Sequence, residues 1–329
     1  MTDPEKSAVN ELAVRTPPPG WALTLAFALI YLCWGTTYLA IKVGVEAFPP
    51  ALFGGIRVGL AGFLLLIYLA WRGEPVQLPF RDLRDAAMIG VIFFMGGNFL
   101  ITLGVGQESV ASGIASLLVT TTPLWMALIE TVWPGGERLA LPGWIGILAG
   151  LAGVAVLKLK DLADPVRDFG PLLCLASAFL WALGTVLMRR LRMRSGKTAA
   201  AYQMLIGGTG LTLLGLAMGE TGQVMPERFT LWPVYAFFHL LVFGSLAGFV
   251  AYIWLLGHVT STQAGTYAYV NPVVAVAIGW LLAGEAITVP VVLGMIIILT
   301  GVFLVRTGGK LPPEARALDT NLQETRESS

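Results

Sequence analysis

Residues 112–123 read SGIASLLVTTTP and residues 261–272 read STQAGTYAYVNP, so Ser112, Ala115 and Pro123 return as Ser261, Ala264 and Pro272 at an offset of 149. Each stretch opens a long apolar run with a proline about ten residues in, which frees the carbonyl four residues earlier. Those carbonyls belong to Val119 and Ala268. Moving outward, the same offset places Gly35-Thr36 on Gly184-Thr185. After one deletion, an offset of 148 carries Glu137, Pro142, Gly146 and Gly153 onto Glu285, Pro290, Gly294 and Gly301. The chain is one unit written twice.

Each unit consists of apolar runs of roughly 20 residues, the length of helix that spans a bilayer core. The spans expected are 21–41, 50–71, 86–106, 113–133, 142–157, 170–188, 198–219, 232–256, 261–283 and 289–305. With 56% hydrophobic residues, 12% charged and a mean hydropathy of +0.76, the composition cannot cover a soluble surface, for which about a quarter charged is usual. Barrel-type alternation is absent, and lipid leaves helices as the way to satisfy the backbone. Five helices per unit is an odd number, so the second copy enters the membrane from the opposite face. The expectation is an all-α integral membrane protein with ten transmembrane helices in two inverted five-helix repeats around a central cavity. The parts are an N-terminal tail at 1–20, a first repeat at 21–158, an outer linker at 159–169, a second repeat at 170–306 and a disordered tail at 307–329.

The first twenty residues hold Asp3, Glu5 and Glu11 and end in Pro17-Pro18-Pro19-Gly20, unlike a cleaved signal peptide. Placing the N-terminus inside puts fifteen Lys and Arg on the inner segments and five on the outer ones, with Arg57 left in a span. Cationic loops stay inside, so both termini are expected in the cytoplasm. A net charge of +1 averages two aqueous faces and implies no nucleic-acid partner. Cys33 and Cys174 both fall inside spans and read as packing residues, with neither a disulfide framework nor a metal site.

The second copy ends Leu282-Ala283-Gly284-Glu285-Ala286-Ile287-Thr288, followed by Gly294 and Gly301. The first ends Gly136-Glu137-Arg138-Leu139-Ala140, followed by Gly146 and Gly153. This pattern, after Pro123 or Pro272 in the preceding span, resembles the EamA-type branch of the drug/metabolite transporter superfamily, and the resemblance covers both halves. It implies ten helices in inverted repeats around a cavity, in a cell membrane of the bacterial inner-membrane type, moving small metabolites or amino acids, often outward. Apart from any family, Gly143, Gly146, Gly150 and Gly153 form a small-residue face that lets a second helix approach closely in lipid. Glu137 and Glu285 at span ends are expected to cap the following helix or pair with a cation.

Paired proline interruptions in two repeats point to a transporter's binding site, so Pro123 and Pro272 are expected to act as hinges beside it. Ser112, Ser116 and Thr120 share a helix face, opposite their counterparts Ser261, Gly265 and Tyr269, while Thr122 and Asn271 precede the prolines. The first and sixth spans present Tyr31, Trp34 and Tyr38, with Thr36 beside them, and Ser177, Trp181 and Thr185. Trp34 and Trp181 lie too deep for an interfacial belt, which leaves a cavity wall or interhelical packing. Asn98, Thr102, Ser245, Phe249 and Tyr252 are further candidates by the same spacing.

Few charges enter the membrane. Arg57 could hold a substrate carboxylate or be tied to backbone carbonyls, and His239 could relay a proton or simply be packed. Glu130 sits near the inner end of its span. The scarcity of cations excludes phosphorylated sugars, and the lack of an acid in the first span disfavours lipophilic cations. A neutral or zwitterionic solute remains, amino acids with aromatic or aliphatic side chains first. The reading is a secondary carrier exporting by alternating access. It needs no cofactor, its partners are the substrate and the bilayer, and the chain is a monomer or weak homodimer. The competing class is a membrane-embedded sensor or enzyme on a carrier fold, but HExxH, GxSxG, CxxC and P-loop motifs are all missing.

Overall fold

A computed structural model describes residues 18–134, 136, 139–157, 169–191, 193, 195–224, 226–256, 258–259 and 266–308. Glu137, Arg138, Ser261, Gly265, most of the linker and both tails lie outside these residues. Ten apolar helices cross the protein: α1 (Gly20–Gly44), α2 (Pro50–Trp71), α3 (Phe80–Val105), α4 (Ser112–Val132), α5 (Leu141–Leu157), α6 (Gly170–Leu191), α7 (Gly196–Ala217), α8 (231–256), α9 (Tyr267–Ala283) and α10 (Val289–Gly308). Eight are long and apolar enough to span a membrane, while α5 and α9 are shorter apolar helices. The face where α1 begins is called the near face, and the opposite one the far face. Large apolar side chains such as Phe63, Leu148, Leu172, Leu213 and Phe303 stay exposed around the circumference, where lipid rather than water surrounds a membrane protein.

Two helix pairs join the repeats, and in each pair a helix meets its own counterpart. Between α2 and α7, a methyl built on Gly208 would lie 2.1 Å from the Gly59 nitrogen, and one on Gly62 would lie 2.4 Å from the Leu205 nitrogen. Gly59 and Gly208 are 149 residues apart, the repeat offset itself. Between α5 and α10, a methyl on Gly146 would lie 2.6 Å from the Gly301 carbonyl oxygen, and one on Gly153 would lie 3.0 Å from that of Gly294. At Gly208, Gly62, Gly146 and Gly153 no side chain fits. The glycine face expected on the fifth span is thus used for packing, as lipid-embedded helices require.

The helices are not uniform. In α3 the segment Val91–Asn98 is π-helical, and in α8 so is Leu240–Ala247, which is the same segment moved by 149. π-Helical insertions leave carbonyls poorly used and recur at functional sites. In α4 the helix stops at Val119 and restarts at Thr122, so the continuous span expected there is two pieces joined at Thr120-Thr121. Pro123 stands in the first turn of the second piece, where its missing N–H costs nothing. Pro272 lies inside a continuous helix.

Loop glycines finish the design. Gly73 and Gly219, with φ of 70° and 75°, end α2 and α7 in the left-handed region, and the residue after each is a glutamate. Glu220 accepts the Ala51 and Leu52 N–H groups at 3.0 and 2.8 Å, capping α2 on the far face. Its near-face counterpart Glu74 pairs instead with Lys197 at 2.8 Å.

Candidate functional site

The polar residues of the bundle interior gather where α1, α3, α4, α6, α8 and α9 converge, and the two π-helical segments organise them. The Gly244 carbonyl in α8 accepts the Trp34 indole N–H of α1 at 3.1 Å. The Gly97 carbonyl in α3 accepts the Ser177 hydroxyl of α6 at 2.7 Å. Each repeat therefore supplies a loosened carbonyl that the other repeat's first helix satisfies. Both indoles lie over glycine: a methyl on Gly248 would meet Trp34 at 2.6 Å, and one on Gly97 would meet Trp181 at 3.0 Å.

Trp34 is the centre of an aromatic trio. Its ring lies 5.3 Å from Tyr252 and 4.9 Å, edge-on, from Tyr267, and these tyrosines are 5.8 Å apart. Edge-to-face contacts of this kind hold ring orientation beyond what burial alone does. Nearby, the Tyr31 hydroxyl meets that of Thr266 at 2.6 Å. Trp181 belongs to a different cluster, 4.6 Å from Phe93 and 6.0 Å from Phe94. The two tryptophans, one expected on the first span and one on the sixth, thus stand in different clusters.

A second group lies toward the far face. Buried Arg57 of α2 donates to Ser245 Oγ at 3.0 Å and to Asn98 Oδ1 at 3.2 Å, while Thr102 donates to the Asn98 carbonyl at 2.7 Å. Ser245 immediately follows Gly244, so this group and the aromatic trio share one peptide unit. Ser116 of α4 lies next to Tyr38 of α1. The Ser116 hydroxyl and the Asn271 Oδ1 are buried with no partner among the described residues. Buried polar atoms are nearly always satisfied, so these two, like Arg57 Nε and His239 Nδ1, are open to an ordered water or a ligand atom.

Other expected residues are placed elsewhere. Thr120 and Thr185 donate back to the Ser116 and Trp181 carbonyls of their own helices. Thr121 and Thr122 do the same to Leu118 and Val119, so the carbonyl freed by Pro123 is already taken. Thr36 meets His239 Nε2 at 3.0 Å, but the imidazole lies against Tyr235 and Phe243, which are exposed to lipid. Tyr269 lies under the Arg306 guanidinium at 5.6 Å. Tyr269, expected at the cavity, is not part of the trio; Tyr267, two residues earlier, is. Spacing of four from Asn271 would have found it.

Both ends of the interior carry ion pairs. On the far face, Glu285 accepts from Ser112 N at 2.7 Å, Ser112 Oγ at 2.8 Å and Gly113 N at 3.2 Å, with Lys42 Nζ at 3.6 Å. It therefore caps α4 of the first repeat, not the helix that follows it. A methyl on Gly279 would lie 2.3 Å from this carboxylate, and Gly284 turns the chain at φ 65° to bring it back. On the near face, Glu130 pairs with Arg190, whose guanidinium also covers Trp133 at 5.1 Å. A separate apolar crevice of about 720 Å³ opens between α1, α2 and α8, bounded by Leu25, Leu64, Tyr68 and Val250.

The EamA-like transporter family matches the chain twice, over residues 21–159 and 168–307. A curated relative in Escherichia coli K12, named uncharacterized inner membrane transporter YedA, is 35% identical across 88% of this chain and 92% of its own. Another in Bacillus subtilis 168, named uncharacterized transporter YvbV, is 28% identical across 90% of this chain and 94% of its own. A solved crystal structure at 20% identity covers 86% of this chain and 95% of its own with a TM-score of 0.62, which shows the same fold.

Proposed function

The chain belongs to the EamA-like transporter family, and from that premise we propose that it exports a small neutral or zwitterionic metabolite, first of all an aromatic or aliphatic amino acid, by alternating access. A transport role follows from the family and from the relatives' names. The observation that supports the substrate class is the trio of Trp34, Tyr252 and Tyr267, with the unpartnered Asn271 Oδ1 one turn along α9 from Tyr267. An apolar group stacks on the trio, and the polar atom receives what it carries.

In this reading the near face is cytoplasmic, as the cation bias asks, and both tails lie there. The Glu285 contacts then close the external side, so the conformation described is one in which release is blocked. Pro123 and Pro272 flank the polar interior as the hinges of the exchange.

The test is counterflow in proteoliposomes with labelled phenylalanine and leucine. Exchange by the parent, reduced at least tenfold in Trp34→Ala, supports the reading. A parent that exchanges neither sinks it.

A further inference from the structure

Arg57 lies about 10 Å inside the far end of α2, at 1.5 Å per residue, and is 4% exposed. A guanidinium has five N–H donors and cannot shed its charge. Two of those donors are used here, on Ser245 Oγ and Asn98 Oδ1, both neutral oxygens, and Nε has no partner among the described residues. None of the described carboxylates pairs with it. Glu285 is held by Lys42 and α4, Glu130 by Arg190, Glu74 by Lys197, Asp85 by Arg84, and Glu220 by the α2 N-terminus. An uncompensated arginine in a membrane span normally faces a cavity or a partner of opposite charge. Among the described residues that partner is missing.

We propose that Arg57, with Asn98 and Ser245, is the subsite for a carboxylate on the transported solute, so the cargo is an organic anion or zwitterion and not a neutral metabolite. This rests on the carrier reading above and narrows it. Three helices converge on the subsite, and two of its residues stand on the π-helical segments, where the altered turn re-aims side chains. Gly54 lets Asn98 approach α2 closely, since a methyl there would lie 2.8 Å from Oδ1. Ser245 follows the Gly244 that holds Trp34, so the subsite and the aromatic trio are joined through one peptide unit. The guanidinium fork suits a carboxylate with two parallel bonds, which an ammonium cannot copy. An arylalkyl carboxylate, with or without an α-amino group, satisfies both parts.

The experiment compares purified parent, Arg57→Gln and Arg57→Lys in detergent by thermal unfolding. The probes are matched pairs: 3-phenylpropionate with 3-phenylpropionamide, and phenylalanine with phenylalaninamide. Carboxylates are expected to raise the parent's Tm while the amides do not. Arg57→Gln should lose that difference, and Arg57→Lys should need at least tenfold more carboxylate. If Arg57→Gln does not give monodisperse protein, Asn98→Ala and Ser245→Ala keep the cation and should weaken carboxylate binding alone. The assignment is overturned if no carboxylate stabilises the parent, if amides serve equally, or if the variants keep the preference. Phenylalanine flux is read separately: its absence with the carboxylate preference intact sinks amino-acid export and leaves Arg57 assigned.

Discussion

Glu285 holds Ser112 twice, through the backbone N–H at 2.7 Å and the hydroxyl at 2.8 Å, and so fastens the last loop of the second repeat to the fourth helix of the first. Hydrogen bonds to a charged group contribute roughly 1.5–3 kcal/mol each, and an N-terminal cap about 1 kcal/mol. A carboxylate that does both ties the repeats together, and on the alternating-access reading it would bias which face is shut.

The first prediction is that Glu285→Ala opens the far face. At 1.4 kcal/mol per tenfold, losing these contacts shifts the balance by about a factor of ten or more. Labelling of Ala111→Cys, in a background lacking Cys33 and Cys174, should accelerate by that factor when an impermeant reagent reaches the far side. Glu285→Gln, which keeps one acceptor oxygen, should fall between. Equal labelling rates in all three would show that Glu285 only caps α4.

Trp34 carries the second prediction, because its indole N–H and its ring do different things. Trp34→Phe keeps a ring in the trio but leaves the Gly244 carbonyl unpaired, which should lower stability by about 1–3 kcal/mol with exchange largely kept. Trp34→Ala removes the wall and should cost about 3–5 kcal/mol, with KM raised more than kcat is lowered. Thermal unfolding and counterflow, measured on the same preparations, check both. Identical transport loss in the two variants would assign the function to the hydrogen bond and not to the aromatic surface.

The prolines give the third. Pro272→Ala returns an N–H within reach of the Ala268 carbonyl inside a continuous helix, so it should stiffen α9 and move the facing equilibrium. Pro123→Ala should shift it the opposite way, and less. Thr121 and Thr122 already bond the carbonyls at the α4 break, which therefore persists without the proline. Cysteine accessibility at Ala111 in both variants reads the sign. Shifts of the same sign would end the hinge proposal.

The ten helices and their duplication were readable because apolar runs and an offset of 149 are long-range, redundant signals that survive local error. The α4 break was not, since three consecutive threonines bonding their own backbone look like any polar patch inside an apolar run. The π-helical segments have no residue signature at all; a shifted hydrogen-bond register is decided by the helices that press on it. Alignment of the repeats selected Tyr269 over Tyr267, and the structure puts the former on Arg306 and the latter on Trp34. Glu285 was readable as a helix cap, but the helix it caps comes from the other repeat, which only the three-dimensional pairing of the repeats reveals.

The contacts of Gly59 with Gly208, and of Gly146 with Gly301 where Gly153 meets Gly294, obey the rule of a self-complementary interface: whatever patch one half offers, the other offers back. The polypeptide is an isologous dimer whose protomers share a backbone. Drift in one half is therefore checked by the other: a side chain gained at Gly208 would meet the backbone of Gly59, its own image, at 2.1 Å. The seams restrict the halves to changing as partners, while the loops and the aromatic and polar walls, which are not mirrored residue for residue, remain free to diverge toward a particular cargo.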